Sequence, residues 1–173
     1  MDALIKHVEQ AKELNLREIY AATEMLLSEN VSDEKKVAFL RGLTAKGETA
    51  AEIAGFVEAF LERAVDPGVS EMNFSGPTID VCGTGGDKLN LFNVSTTSMF
   101  VIAAGGAVVV KHGNRGITSK SGGADVLEAL GVKIDVTPEV FRNCLEAAGV
   151  GFLFAPIYHP AFKAVVGVRK ILA

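Results

Sequence analysis

Two glycine-rich segments, each directly after a short apolar run, constrain the fold of this chain most strongly. The run "TIDVC" at 78–82 precedes "GTGGD", and the run "AVVVKH" at 107–112 precedes "GNRG". A helix-like segment at about 94–104 and the segment "ADVLEALG" follow these turns, and "GFLFA" at 151–155 is a third apolar run. Buried parallel strands read as continuous apolar runs, and strands that alternate with helices of this length usually build a parallel sheet. The sequence therefore predicts a mostly parallel α/β fold over its second part.

The first 65 or so residues have a different, helical periodicity. Apolar residues recur at helical spacing, as in Leu4, Ile5 and Val8, and the pair Thr49 and Glu52 has the spacing of a capping box. The segment "VDPGVSEMNFSGP" then breaks the periodicity with proline and glycine. We expect a helical domain over 1–66, a linker over 67–77 and an α/β domain over 78–173.

The end of the chain indicates an incomplete domain. Three candidate strands are few for an open parallel sheet, and the sequence ends at "VRKILA" within a helical pattern that has no stop signal. We therefore expect a fragment that contains a small helical domain and the first part of a mostly parallel α/β domain.

Composition narrows the functional class. A formal net charge of -4 over 173 residues argues against nucleic acid or an anionic membrane as the main partner. The N-terminus lacks a signal-peptide pattern, and the most apolar segment, "SMFVIAAGGAVVV", is too short to span a bilayer. We expect a cytoplasmic protein with a small-molecule partner. Cys82 and Cys144 are predicted to be buried apolar residues, and His7 and His159 are predicted to be structural.

The two glycine-rich segments are predicted to form one phosphate site. Ligands of open parallel sheets bind beyond the carboxyl ends of the strands, where glycine lets backbone N–H groups approach an anion. Lys111 and Arg115 add positive charge, and neutral donors follow at Asn93, Ser95, Thr96, Asn114 and Ser119. Tight turns without a ligand remain the structural alternative. No P-loop string occurs, and Lys88 stands where a dinucleotide fingerprint requires its third glycine.

At these residues the chain resembles the N-terminal half of anthranilate phosphoribosyltransferases, which belong to the class II nucleoside phosphorylase superfamily of glycosyltransferases. The resemblance rests on "GTGGD", "FNVST", "KHGNR" and "SKSGGADVLEALG", and it continues to "APIYHPAFKAVVGVRK". It implies transfer of the phosphoribosyl group of phosphoribosyl pyrophosphate to anthranilate, with release of pyrophosphate, in tryptophan biosynthesis. It also implies Mg²⁺ as the cofactor and a homodimer formed through the helical domain.

The resemblance also implies site residues. Those expected to bind phosphoribosyl pyrophosphate are Gly83, Gly86, Asp87, Asn93, Val94, Ser95, Thr96, Lys111, His112, Gly113, Asn114, Arg115, Gly116, Ile117, Thr118, Ser119 and Gly123. Those expected to bind anthranilate are Gly83, Asn114 and Arg169, and Ser95 is the expected Mg²⁺ ligand. Lys88 and Leu91 depart from the pattern of the family, which has a common glycine and often a hydroxyl residue at these positions.

Catalysis in such a site depends on positioning and charge stabilisation rather than on a strong general base. The arylamine nitrogen of anthranilate is already nucleophilic, and departure of pyrophosphate leaves positive character on the ribose C1. No catalytic residue is assigned, and His112 is left out of that role. The acidic pair that holds Mg²⁺ in the family would lie beyond Ala173, so the 173-residue chain alone is expected to be inactive.

Two other functions remain open. A pyrimidine nucleoside phosphorylase also combines a helical domain with a glycine-rich phosphate turn, although its motifs match less well. The alternative that is not an enzyme is a non-catalytic, dimerising fragment.

Overall fold

The structure, a computed structural model, describes residues 1–83, 92–116 and 121–172. Its contacts divide the chain into two compact units, one formed by Met1–Ala64 with His159–Ala173 and the other by Val65–Tyr158. We describe each unit by itself. The hydrophobic pattern contains no sign that the last segment of the chain packs with the first helices.

The first unit is helical. Its elements are α1 (Asp2–Glu9), α2 (Leu16–Leu27), α3 (Asp33–Lys46), α4 (Ala50–Leu61), a 3-10 helix (Pro160–Val165) and α9 (Val166–Leu172). The predicted apolar faces form its core, whose buried members include Leu4, Val8, Ile19, Ala22, Leu26, Val37, Phe39, Leu43 and Val168. Lys36 is buried and its Nζ donates to the carbonyl oxygen of Ala164 at 2.8 Å, which ties the last segment to α3.

A buried carboxylate organises the start of α4. The predicted capping box is confirmed, because Glu52 N–H donates to Thr49 Oγ1 and Thr49 N–H donates to Glu52 Oε2. Glu52 also accepts from Leu14 N–H at 2.8 Å and from Lys46 Nζ at 2.7 Å. Burial alone raises the pKa of Glu52, but these hydrogen bonds and the Lys46 charge outweigh it and lower the pKa to about 2.

The second unit has a sheet between helices. Within the described residues, the strands β1 (Thr78–Ile79), β2 (Val108–Gly113) and β3 (Val150–Phe154) form a parallel sheet in the order β1-β2-β3. Its helices are α5 (Val94–Ala104), α6 (Gly123–Ala129), α7 (Pro138–Ala148) and α8 (Ala155–Tyr158), with a 3-10 turn at Val69–Glu71. A helical N-terminal region followed by a parallel α/β region confirms the predicted fold class.

The sheet has an apolar core on each face. One cluster contains Met99, Val109, Ala124, Leu127, Ile134 and Phe152, and the other contains Val108, Phe141, Leu145, Leu153 and Tyr158. Helix α7 begins and ends as predicted, because Thr137 accepts from Val140 N–H, Pro138 occupies the first turn and Gly149 adopts a left-handed φ of 66°.

Two predictions in this unit are wrong. The first strand was expected over 78–82 as a buried run, but β1 contains only Thr78 and Ile79, and both are exposed. Among the described strands β1 pairs only with β2, so one edge and much of its surface lack a partner. Cys82 and Cys144 are exposed rather than buried, because Cys82 lies beyond the end of β1 and Cys144 on the outer side of α7. No helix among the described residues is long and apolar enough to cross a membrane.

Candidate functional site

The carboxyl ends of β1 and β2 lie side by side, which brings the starts of the two glycine-rich segments to one edge of the sheet. Ile79 pairs with Val109 in a parallel register, and the side chain of Asp80, the next residue, contacts His112 further along β2. His112 N–H donates to Asp80 Oδ1 at 3.3 Å, and His112 Nδ1 lies 3.1 Å from Asp80 Oδ2. The described part of the first segment, which ends at Gly83, therefore starts beside the second.

Lys111 places a buried cation beneath this edge. Alternate side chains of a strand share a face, so Lys111 lies on the same face of β2 as the fully buried Val109, and its residue exposure is 3%. Its Nζ donates to the carbonyl oxygen of His112 at 3.1 Å. Burial lowers the pKa of Lys111, while electrostatic interactions with the neighbouring Cys82 and Asp80 side chains act in the opposite direction.

The second glycine-rich segment is held by an aspartate. Asp125, in the first turn of α6, accepts from Gly116 N–H at 2.9 Å and from Gly122 N–H at 2.7 Å. These two backbone hydrogen bonds lower the pKa of Asp125. Asn114 contributes further, because its side chain accepts from Arg115 N–H at 2.8 Å. The backbone on both sides of residues 117–120 is thus fixed to one carboxylate.

Arg115 is not directed at an open anion site. Its guanidinium forms ion pairs with Glu128 and Asp125, and its Nη2 donates to Glu128 Oε1 at 2.8 Å. The guanidinium also lies 5.6 Å from the ring centroid of Phe154. The charge that the sequence analysis assigned to the phosphate is therefore shared with two carboxylates in this structure.

Helices α5 and α6 meet at their N-termini through a glycine. A Cβ on Gly123 would lie 2.7 Å from Thr96 Oγ1, and a Cβ on Gly122 would lie 2.5 Å from the carbonyl oxygen of Asn114. Glycine is required at both positions for this close approach. The hydroxyl of Thr96 is buried and has no hydrogen-bond partner among the residues that the structure describes.

The N-terminus of α5 faces the second segment. Asn93 precedes the helix, but its side-chain amide donates to Ser121 Oγ at 3.0 Å instead of capping the helix. Val94 and Ser95 occupy the first turn, whose N–H groups carry the positive end of the helix dipole. The predicted residues that lie in the described part of the sheet unit are Gly83, Asn93, Val94, Ser95, Thr96, Lys111, His112, Gly113, Asn114, Arg115, Gly116 and Gly123, and their joint role in one site stays a prediction.

The remaining predicted residues lie in the helical unit or outside the described residues. Gly86, Asp87, Ile117, Thr118 and Ser119 lie outside the described residues, as do Lys88 and Leu91. Arg169 is exposed on α9, in the helical unit, whereas Gly83 and Asn114 belong to the sheet unit. The predicted anthranilate site therefore stays a prediction.

Sequence reasoning missed Asp80 and Asp125, the two carboxylates that order the site. Asp125 has a recognisable signal, since it follows Gly122 by three residues at the start of a helix, the position of the acidic member of a capping box. Asp80 has none, because its contact depends on the pairing of β1 with β2.

The fold and the glycine-rich edge define a class of transferase. The family model described as "Glycosyl transferase family, helical bundle domain" matches residues 2–64, and "Glycosyl transferase family, a/b domain" matches residues 75–173. The chain belongs to this glycosyl transferase family.

Individual relatives within this family share a large part of the sequence of this chain. The chain is 49% identical to the anthranilate phosphoribosyltransferase of Methanosarcina acetivorans over 99% of its own length and 45% of the relative's. It is 45% identical to that of Salinibacter ruber over 99% of its own length and 49% of the relative's. The chain thus spans about half the length of the curated relatives it matches.

Solved structures agree with this comparison. The anthranilate phosphoribosyltransferase of Thermus thermophilus superimposes with a TM-score of 0.84 at 38% identity, over 98% of this chain and 50% of that one. The enzyme of Saccharomyces cerevisiae, solved in complex with PRPP (phosphoribosyl pyrophosphate) and Mg, gives a TM-score of 0.81 at 26% identity over 99% and 51%.

Proposed function

We propose that this chain forms the N-terminal half of an anthranilate phosphoribosyltransferase, which transfers the phosphoribosyl group of phosphoribosyl pyrophosphate to anthranilate in tryptophan biosynthesis. The observation that carries the proposal is 49% identity to such an enzyme over 99% of this chain. Because the match covers only 45% of that relative, the 173-residue chain alone is expected to bind the phosphoribosyl donor without turning it over.

The donor site that we propose lies at the sheet edge formed by the ends of β1 and β2. The ammonium of Lys111 and the N–H groups at the start of α5 supply positive potential for a diphosphate. Asp125 accepts from Gly116 N–H and Gly122 N–H, so the backbone at both ends of the second glycine-rich segment is fixed before the ligand arrives. These residues bind and orient the donor, which is the main contribution that phosphoribosyl transfer requires of them.

We propose that Mg²⁺ binds together with the diphosphate of the donor. The residues that the structure describes contain no group of three or more His, Cys, Asp or Glu side chains that could hold a metal. Ser95, in the first turn of α5, offers one hydroxyl ligand. The described residues thus fit a cation held mainly by the phosphate oxygens of the ligand and not a site formed by the protein alone. The ion would neutralise part of the pyrophosphate charge.

Calorimetry tests the donor site. We expect the chain to bind phosphoribosyl pyrophosphate in the presence of Mg²⁺, and we expect Asn114→Ala to weaken binding by roughly tenfold, about 1.4 kcal/mol. Asn143→Ala, at an exposed position on α7, is the matched control and should bind as the parent does. A chain that binds thymidine with phosphate, and not phosphoribosyl pyrophosphate, would instead support the nucleoside phosphorylase alternative.

The fluorescence of anthranilate provides the activity assay. Fluorescence should stay constant when the chain is mixed with anthranilate, Mg²⁺ and phosphoribosyl pyrophosphate. Turnover at an ordinary enzyme rate would contradict the proposal, because it would show that activity does not require the half of the longer relatives that this chain does not match. Absence of both donor binding and turnover would leave the non-catalytic fragment as the better description.

We also propose that the chain forms a homodimer in the cytoplasm through its helical unit. Ile53, Val57 and Leu61 recur every four residues on α4 and are 54%, 51% and 59% exposed, which leaves an apolar stripe on the helix. An isologous interface would bury this stripe against its own copy. Sedimentation should give a dimer at micromolar concentration and a monomer for Val57→Glu. A monomeric parent chain would contradict the dimer.

A further inference from the structure

Asp80 makes two contacts with a single residue across the sheet edge. Its Oδ1 accepts from the backbone N–H of His112 at 3.3 Å, and its Oδ2 lies 3.1 Å from Nδ1 of the same residue. The side chains of His112 and Asp80 are 41% and 38% exposed, so the contact adds little to stability. Its main consequence is geometric, because two points of contact fix both the carboxylate plane and the imidazole ring.

The contact also determines where the ring proton lies. A carboxylate only accepts hydrogen bonds, so Nδ1 of His112 must carry a proton to bond with Asp80. A neutral imidazole has one proton, and Nε2 is then unprotonated. Both the backbone N–H and the Nδ1–H of His112 are therefore directed at Asp80.

We propose that Asp80 is a positioning residue that holds His112 in the Nδ1–H tautomer and withholds these two donors from an anion bound at the sheet edge. The part of this inference that concerns the anion rests on the proposed function. Lys111, the neighbour of His112 in β2, supplies the cation at this edge, and its Nζ donates to the His112 carbonyl oxygen at 3.1 Å. His112 thus helps to shape the site, while Lys111 carries its charge.

The substitution Asp80→Asn tests the tautomer assignment. The side-chain oxygen of asparagine can still accept the hydrogen bond from the backbone N–H of His112. The NH2 group of the asparagine then faces Nδ1 of His112. That NH2 group only donates, so the neutral ring must move its proton to Nε2. The same exchange of aspartate for asparagine gives the wrong histidine tautomer in serine proteases.

Nitrogen-15 NMR of the ring reads out the tautomer directly. At about pH 8.5, where an ordinary imidazole is neutral, we expect Nδ1–H in the parent chain and Nε2–H in Asp80→Asn. The chain has three histidines, so His112→Gln assigns the signal, and Asp135→Asn, at an exposed position, is the charge-matched control. An Nε2–H ring in the parent overturns the proposal even if Asp80→Asn does not fold, and an unchanged tautomer in the variant does the same.

Binding of inorganic pyrophosphate with Mg²⁺ tests the withheld donors. Asp80→Asn removes a negative charge and leaves a donor on the ring, so we expect roughly threefold tighter binding at low salt. A residue that only supported the fold would weaken binding when replaced, and weaker or unchanged binding overturns this part. A parent chain that binds no pyrophosphate counts against the proposed function, while the tautomer measurement still decides the role of Asp80.

Discussion

The Lys46 side chain of the helical unit and Lys111 of the sheet unit are both buried but are compensated differently, whereas Lys36 in the helical unit resembles Lys111 in donating to a backbone carbonyl oxygen. In the helical unit the Lys46 side chain is 3% exposed and its Nζ lies 2.7 Å from the carboxylate of Glu52. In the sheet unit the whole Lys111 residue is 3% exposed, but its Nζ donates to a backbone carbonyl oxygen. The first charge is neutralised within the fold. The Lys111 charge has no carboxylate partner of this kind and is available to a ligand at the sheet edge. Its lowered pKa reflects the unfavourable burial of the charged form.

The comparison extends to neutral groups. The capping boxes of α2 and α4 satisfy the backbone groups that open each helix. At the start of α5 the side chain of Asn93 binds Ser121 instead, and the buried hydroxyl of Thr96 has no partner among the described residues. The helical unit has one such hydroxyl too, that of Thr23 in α2. In the sheet unit, however, Asn93 and Thr96 lie together at the start of α5, where a ligand is proposed, so their arrangement fits a ligand at some cost in stability.

The largest effect is expected at Glu52. Glu52→Gln leaves the Lys46 ammonium buried without its carboxylate and should lower the free energy of unfolding by about 3 kcal/mol. Denaturant titration measures the change, and Glu58→Gln, at an exposed position on the same helix, is the control. Equal stability of the two variants would remove the contrast between the lysines.

The same carboxylate predicts a pH dependence. Because folding lowers the pKa of Glu52 from an ordinary 4.5 to about 2, its contribution is complete above about pH 4.5. That contribution, on the order of 3 kcal/mol, is lost as the pH falls from 4.5 towards 2. The parent chain should lose stability over this range by more than Glu52→Gln does, and parallel curves would contradict the assignment.

Gly122→Ala should have the next largest effect, on binding. Its Cβ would lie 2.5 Å from the carbonyl oxygen of Asn114 and from the backbone carbon of Arg115, so the second glycine-rich segment must move. We expect at least about tenfold weaker binding of pyrophosphate, or 1.4 kcal/mol. Gly105→Ala, whose Cβ would lie 3.2 Å from its nearest neighbour, should bind as the parent does.

Lys111→Met separates binding from stability. Methionine keeps the buried stem and removes the charge, so we expect roughly tenfold weaker pyrophosphate binding with stability unchanged or higher by about 1 kcal/mol. Lys133→Met, at an exposed position in the same unit, is the control for net charge. If Lys111→Met were strongly destabilising, Lys111 would resemble Lys46 and the comparison would fail.

The smallest effect is expected at Thr96. Thr96→Val replaces a buried hydroxyl that lacks a partner by a methyl group of the same shape, so the chain should become more stable by about 1 kcal/mol. Thr97 Oγ1, in contrast, donates to the Asn93 carbonyl oxygen at 3.1 Å, so Thr97→Val should be neutral or slightly destabilising. Melting temperatures compare the two, and a less stable Thr96→Val would indicate a hydrogen bond to that hydroxyl.

Local patterns in the sequence predicted much of the fold. The periodic faces of α1, α2 and α3, the capping box at Thr49, and the start and end of α7 depend on residues within a few positions of one another. The parallel α/β region followed from apolar runs separated by glycine segments, and the proximity of the two segments followed from the rule for parallel strands. The extent of β1 was wrong because strand length depends on partners that a local pattern does not contain.

By itself the sequence determined the helices, their caps, the apolar strands and the residue types at the glycine-rich edge, because each depends on propensities and spacings over one or two turns of chain. Only the tertiary structure decided which charges neutralise one another. It buried Lys111 on the Val109 face, paired Arg115 with Glu128, placed Asp80 against His112 and returned residues 159–173 to the helical unit. These outcomes depend on strand register and on contacts between residues distant in sequence, whose energies no local pattern encodes.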